Sequence, residues 1–242
     1  MSLRNWAYIV GGIGVVLFAL AFFDVGGAGG LLTLLSAVVL VIAGILYWRS
    51  TPASAATTIN DPPIARMLFG DTRSAFFWLF VRLWLGSQWI EAGWHKVTDP
   101  KWTSTGAALM GYWTNAVKIP ETGRAPITYD WYRGFIQFML DNEWYTWFAK
   151  VIAYGEVLIG IALIIGAFVG LAAFFGAFMN WNFIMAGSAS TNGLLLVTAV
   201  VLILAWKVAG YLGADRYILD RLSSLWRPNT GTTTKPRMAA AT

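Results

Sequence analysis

Repeated apolar runs, each about the 20 residues that a helix needs to cross a bilayer, constrain this chain more than any other feature of its sequence. Inside lipid no water is available to the backbone. A segment of that kind is stable there only as a helix that satisfies its own N–H and C=O groups. The runs lie at 6–23, 30–48, 74–94, 147–168, 171–188 and 193–212. They predict an all-α integral membrane protein of about six spans. Composition agrees with this. Of the 242 residues, 57% are hydrophobic and 12% charged, where soluble domains carry roughly 25% charged residues. The mean hydropathy is +0.60. The first run follows Arg4 and contains Ala19-Leu20-Ala21, features that also suit a signal peptide. It is read here as a retained span.

The punctuation between runs divides the chain. Residues 1–50 form a predicted transmembrane hairpin, turning at Asp24 and the Gly26–Gly30 cluster and closing on Trp48-Arg49, an interfacial aromatic followed by a cation. A polar linker with Pro52, Pro62 and Pro63 occupies 51–73. Residues 74–215 form the main membrane domain, interrupted by a long connection over 95–145. Connections of this length are usually structured or functional. This one holds Trp102, Tyr112, Trp113, Tyr129, Trp131, Tyr132, Trp144 and Tyr145. Its aromatic content predicts short amphipathic helices near 101–117 and 129–143, lying flat at the membrane surface as a cap. The tail, 216–242, is basic and then rich in Thr, Pro and Ala, with disorder expected at its end. Arg4, Arg49, Arg66, Arg73, Arg216 and Arg221 fall on one side of the predicted spans. The cation bias therefore puts both termini in the cytoplasm, in a multi-pass protein of the inner membrane, with the aromatic loop outside.

Cysteine is absent and His95 is the single histidine. That excludes disulfides, Cys-ligated zinc or iron–sulfur clusters, and a bis-His haem held by this chain alone. No tightly bound cofactor is expected. Seventeen basic against twelve acidic residues are dispersed, without a nucleic-acid motif. Membrane lipids are the expected partner of that charge, and nucleic acid is not. No nucleotide-binding loop, nucleophile elbow or zinc-protease motif occurs.

The run 74–94 differs from the rest by carrying Arg82, Gln88 and Glu91 and ending on Trp94-His95-Lys96. A charge at the centre of a membrane helix costs about 2.5–3.5 kcal/mol, so it pairs, faces the bundle or snorkels to the interface. Glu91 and His95 are four residues apart, so they can touch. Such a pair suits proton transfer, since histidine titrates near neutrality. The plainer reading makes His95 an interfacial residue beside Trp94. Glu156 sits inside the fourth run, either as a partner for these cations or as a hydrogen-bonding anchor. Asn180 and Asn182 read as interhelical glue. The expected site therefore has Glu91, His95 and Glu156 as catalytic groups. Arg82, Lys96 and Trp94 are its substrate-binding groups, with Arg82 low enough on the helix to form a separate inner site.

At these residues the sequence resembles the DoxD/DoxX family of small membrane proteins. Arg82-Leu-Trp-Leu-Gly86 with Gly93-Trp-His-Lys96 is similar to the family's R-x3-G…G-x2-K helix. Tyr154-Gly-Glu156-Val-Leu-Ile-Gly160-Ile-Ala-Leu-Ile-Ile-Gly166 is similar to its E-x3-G-x-A-L-x-x-G helix. The likeness covers about 74–215 and leaves the hairpin outside. It implies a four-helix bundle. In the DoxD branch it also implies the membrane subunit of a thiosulfate:quinone oxidoreductase, with quinone as diffusible substrate and a DoxA-like partner subunit. Two other readings stand beside this. One is a non-catalytic accessory subunit of a larger respiratory or photosynthetic complex. The other is a small-molecule transporter, against which the few intramembrane charges count.

Overall fold

The computed structural model describes residues 1–23, 29–52 and 60–226. Every regular element among them is a helix, and the chain divides into two compact units, Met1–Asn60 and Asp61–Thr242. The expected Gly-rich turn lies mostly outside the described residues, as do the middle of the linker and the end of the tail.

The first unit is a helical hairpin. Helix α1 (Leu3–Phe22) starts at Ser2, whose hydroxyl accepts from the Asn5 amide, and α2 (Gly29–Ser50) lies along it. Small residues line the seam: Ala7, Ala21, Ser36 and Ala43 are buried. At Gly14 a Cβ would come within 2.8 Å of Leu40 Cγ. Both outward faces remain apolar and exposed, with Ile13, Val16, Leu34 and Val41 among them. Such faces suit contact with lipid rather than water.

The second unit opens with α3 (Pro63–Gly70), inside the segment read as linker. The Trp78 indole N–H donates to Leu68 O at 2.7 Å and Phe69 packs on the same ring, which draws α3 onto the next helix. A 3-10 turn, Thr72–Ser74, leads into α4 (Ala75–Thr98). On α4 the residues Ala75, Trp78, Arg82, Leu85, Gly86, Trp89 and Gly93 are buried. Their spacing of three and four marks one face. The connection that follows is ordered and helical, as its aromatics predict. It contains α5 (Pro100–Thr103), α6 (Ala107–Val117) and α7 (Asp130–Asp141). It also has a core of its own. Leu109, Trp113, Ile127, Tyr132, Ile136 and Met139 form a second core over Ala149 and Ile152. Then come α8 (Tyr145–Ile165), α9 (Val169–Met185), α10 (Asn192–Leu204), α11 (Trp206–Ala209) and α12 (Asp215–Trp226). Helix α4 packs chiefly on α8, and α9 on α10.

Among the described residues, three helices are long and apolar enough to cross a membrane: Leu3–Ala21, Leu31–Ser50 and Tyr145–Ile165. The remaining expected spans differ for identifiable reasons. Helix α4 has the length, but its polar residues lower its hydropathy. Helix α9 has 17 residues and α10 only 13, because the last apolar run breaks at Ala205 before resuming as α11.

Candidate functional site

Glycines set the distance between α4 and α8. At Gly160 a Cβ would lie 2.8 Å from Gly86 O, and at Gly93 it would lie 2.7 Å from the Val157 amide nitrogen. Small residues allow this close backbone approach, which side chains would prevent. The approach brings Lys96, at the end of that face, against Glu156 on α8. Lys96 Nζ lies 2.6 Å from Glu156 Oε2, and the carboxylate is 1% exposed. The ammonium also donates to Ala92 O at 3.3 Å and stands 5.3 Å from the centre of the Trp102 ring, a cation–π contact. Removing one partner of a buried ion pair typically costs about 3–5 kcal/mol, because the other charge is left uncompensated.

This pair forms one wall of a cavity of about 470 Å³ between α4, α8, α9 and the turn before α10. Glu91 and His95 line it from the exposed side of α4, and Asn180 and Ser188 line it opposite. Four of the six site residues expected from the sequence thus border one space. Among the described residues no hydrogen bond or ion pair joins Glu91 to His95. Trp94 is 60% exposed and does not line the cavity. One position away from the seam, its ring is turned off the bundle.

Arg82 lies elsewhere. Fourteen residues before Lys96, it is about 21 Å lower along α4 at 1.5 Å per residue. It is 1% exposed and donates through Nη1 to Ala209 O at 3.3 Å and through Nη2 to Leu212 O at 3.2 Å. Any side chain at Gly166 or Gly213 would collide with its guanidinium. It does not snorkel; it ties α4 to the end of α11, where unpaired helix carbonyls attract a cation. Asp215 stands beside it and supplies the opposing charge. The Asp215 carboxylate is buried and accepts from the Phe168 and Val169 amides at 2.5 and 2.8 Å, closing the N-terminus of α9. Sequence reasoning had set Asp215 at the edge of the tail. An acidic residue that caps a helix 47 residues earlier leaves no local signal.

A second space, about 610 Å³, runs between α7, α8 and α9 and is lined almost wholly by apolar side chains. Val151, Leu158 and Phe178 on its walls are each more than half exposed, so it opens on the apolar flank of the bundle. Tyr112 and Phe183 belong to the walls of both spaces. The Tyr132 hydroxyl donates to Asn182, and Tyr112 to Phe183 O at 3.3 Å. Burial pushes the Tyr132 phenol up to about 12 and raises that of Tyr112 as well. Both are therefore neutral hydrogen-bond donors at ordinary pH.

These features define a class: an all-helical membrane domain whose helices meet across glycine seams around a buried Lys–Glu pair. Residues 77–189 match the model of the DoxX family, and this stretch of the chain is a DoxX domain. The matched stretch runs from α4 to the turn after α9. It stops short of α10, which the sequence resemblance had included, and it leaves out the hairpin. Neither the curated proteins nor the solved structures gave a significant match.

Proposed function

We propose that the chain is the membrane subunit of a thiosulfate:quinone oxidoreductase of the DoxD type, with the cavity beside Lys96 and Glu156 as its quinone-reducing site. The observation that supports this most is the pairing of two unlike spaces along a common wall. One is polar and bordered by Glu91, His95, Lys96 and Glu156, and the other is apolar and open on the flank. A membrane quinone is a small polar ring on an apolar chain. Its reduction to quinol consumes two electrons and two protons. Joining two thiosulfate anions by a sulfur–sulfur bond releases those two electrons. Glu91 and His95 are suited to pass the protons inward, and Glu156 to hold one near the ring. Lys96 and Lys101 attract the sulfur anion to the mouth. In this reading α4, α9 and α10–α11 also cross the inner membrane. That gives six spans, cytoplasmic termini and an outward aromatic cap, with a DoxA-like partner completing the enzyme.

The test is a substitution series in the purified complex. Glu91→Gln, His95→Ala and Glu156→Gln should each lower thiosulfate-dependent quinone reduction at least about tenfold, the scale of lost acid–base catalysis. Assembly should be retained on size exclusion. Full activity in all three, with redox subunits co-purifying, supports the accessory-subunit reading instead. The absence of cysteine and the single histidine favour that second reading.

A further inference from the structure

Two polar groups in the wall of the polar cavity have no protein partner. Asn180 is 0% exposed, and neither its Oδ1 nor its Nδ2 is hydrogen-bonded; the Trp89 indole Nε1 is equally buried and equally unpaired. Both residues line the cavity. A buried polar group left without a partner costs about 1–3 kcal/mol. Three such atoms on two residues that line one cavity are far from the usual state of a folded core, where buried polar atoms are paired. They also belong to one place. Gly176 brings α9 against the Trp89 ring, a Cβ there lying 3.1 Å from Nε1. Asn180 follows Gly176 by one turn on the same face of α9.

Resting on the quinone reading above, we infer that Trp89 and Asn180 are the groups that recognise the ring of a neutral quinone, holding one of its carbonyl oxygens. The chemistry of the set selects the ligand. The indole N–H and the amide NH₂ donate to a carbonyl oxygen, and the amide Oδ1 accepts from a hydroxyl. One site thus serves the oxidised form, which carries carbonyls, and the reduced form, which carries hydroxyls. A sulfur dianion fits poorly. Besides the Tyr112 phenol, the ionisable groups lining the cavity are Glu91, Glu156, His95 and Lys96, and the single ammonium already lies 2.6 Å from a carboxylate. No cationic excess remains to replace the hydration of a dianion. The deep wall therefore takes the neutral substrate, and the anion stays at the mouth or on the partner subunit.

The experiment uses the full-length protein in lipid nanodiscs and a short-chain benzoquinone carrying ¹³C at its carbonyls. Infrared difference spectra should show a bound carbonyl stretch lowered by hydrogen bonding. Trp89→Phe and Asn180→Leu keep the bulk and remove the donors. Each should relax that shift and weaken binding about tenfold, as expected for a lost buried hydrogen bond. Thiosulfate at saturating concentration should not displace the quinone from the unsubstituted protein, a measurement that does not depend on how well either variant folds. Unchanged affinity and carbonyl frequency in both variants would overturn the assignment of these two residues and leave the proposed function standing. Competitive displacement by thiosulfate would overturn the claim of a neutral ligand. Failure of the unsubstituted protein to bind quinone at all would remove both the inference and the reading on which it rests.

Discussion

A methyl group at position 93 tests how closely α4 and α8 must approach. Its Cβ would lie 2.7 Å from a backbone nitrogen, which cannot swing aside as a side chain does. Gly93→Ala should therefore separate the helices locally, stretch the Lys96–Glu156 contact and cost about 1–3 kcal/mol, the usual range for overpacking. Gly155→Ala is the control, because nothing lies within 4 Å of a Cβ there. Thermal unfolding in detergent should lower the midpoint for the first variant and leave the second unchanged. The spaced glycines and the isolated charges of α4 and α8 were legible in the sequence, since charges within apolar runs tend to converge. The state of Asn180 was not. Its type and setting suggested interhelical glue, and only the neighbours supplied by α4 show that its amide has no partner. Trp89 was hidden in the same way among fourteen tryptophans, most of which suit an interfacial role.

Helix α7 was legible at the scale of an element. Aromatic and apolar residues at helical spacing announced a one-sided helix, and Tyr132, Ile136 and Met139 do face inward. The break at Ala205 was not, because no proline or glycine marks it; α10 ends where Val208 donates to Ala205 O and the chain tightens. Tyr132 also gives α7 a pH dependence. Burial raises its phenol from 10.0 to about 12, so the folded state holds the proton where the unfolded chain has released it. The stabilisation is complete below pH 10, declines as pH rises and is lost once pH passes about 12. Tyrosinate absorbance should therefore appear late in an alkaline titration and coincide with loss of protection in α7 amides. Tyr132→Phe, which cannot ionise, should remove this part of the alkaline transition.

At the scale of the whole molecule, the two sets of polar contacts mark opposite ends of the second unit. Lys96 and Ser188 border the same cavity, whereas Arg82, Gly166 and Asp215 meet at the far end. Under the six-span reading, cysteines placed at Ser104 and Ala189 should react with an impermeant reagent from one side of the membrane. A cysteine at Tyr217, an exposed position, should react from the other. Labelling of Ala189 and Tyr217 positions from the same side would leave α10 and α11 uncrossed. Hydropathy gave no access to this pairing of ends, because it depends on contacts between residues far apart in the chain.

That distance has a consequence for how the protein is made. Arg82 finds its acceptors 127 and 130 residues further on, at Ala209 and Leu212. While the ribosome is still translating the segment between, α4 carries a guanidinium with no carbonyl to receive it. A lone charge of this kind resists partition into lipid. Under the six-span reading, α4 therefore gains both acceptors for its buried cation only after the chain has been made through Leu212.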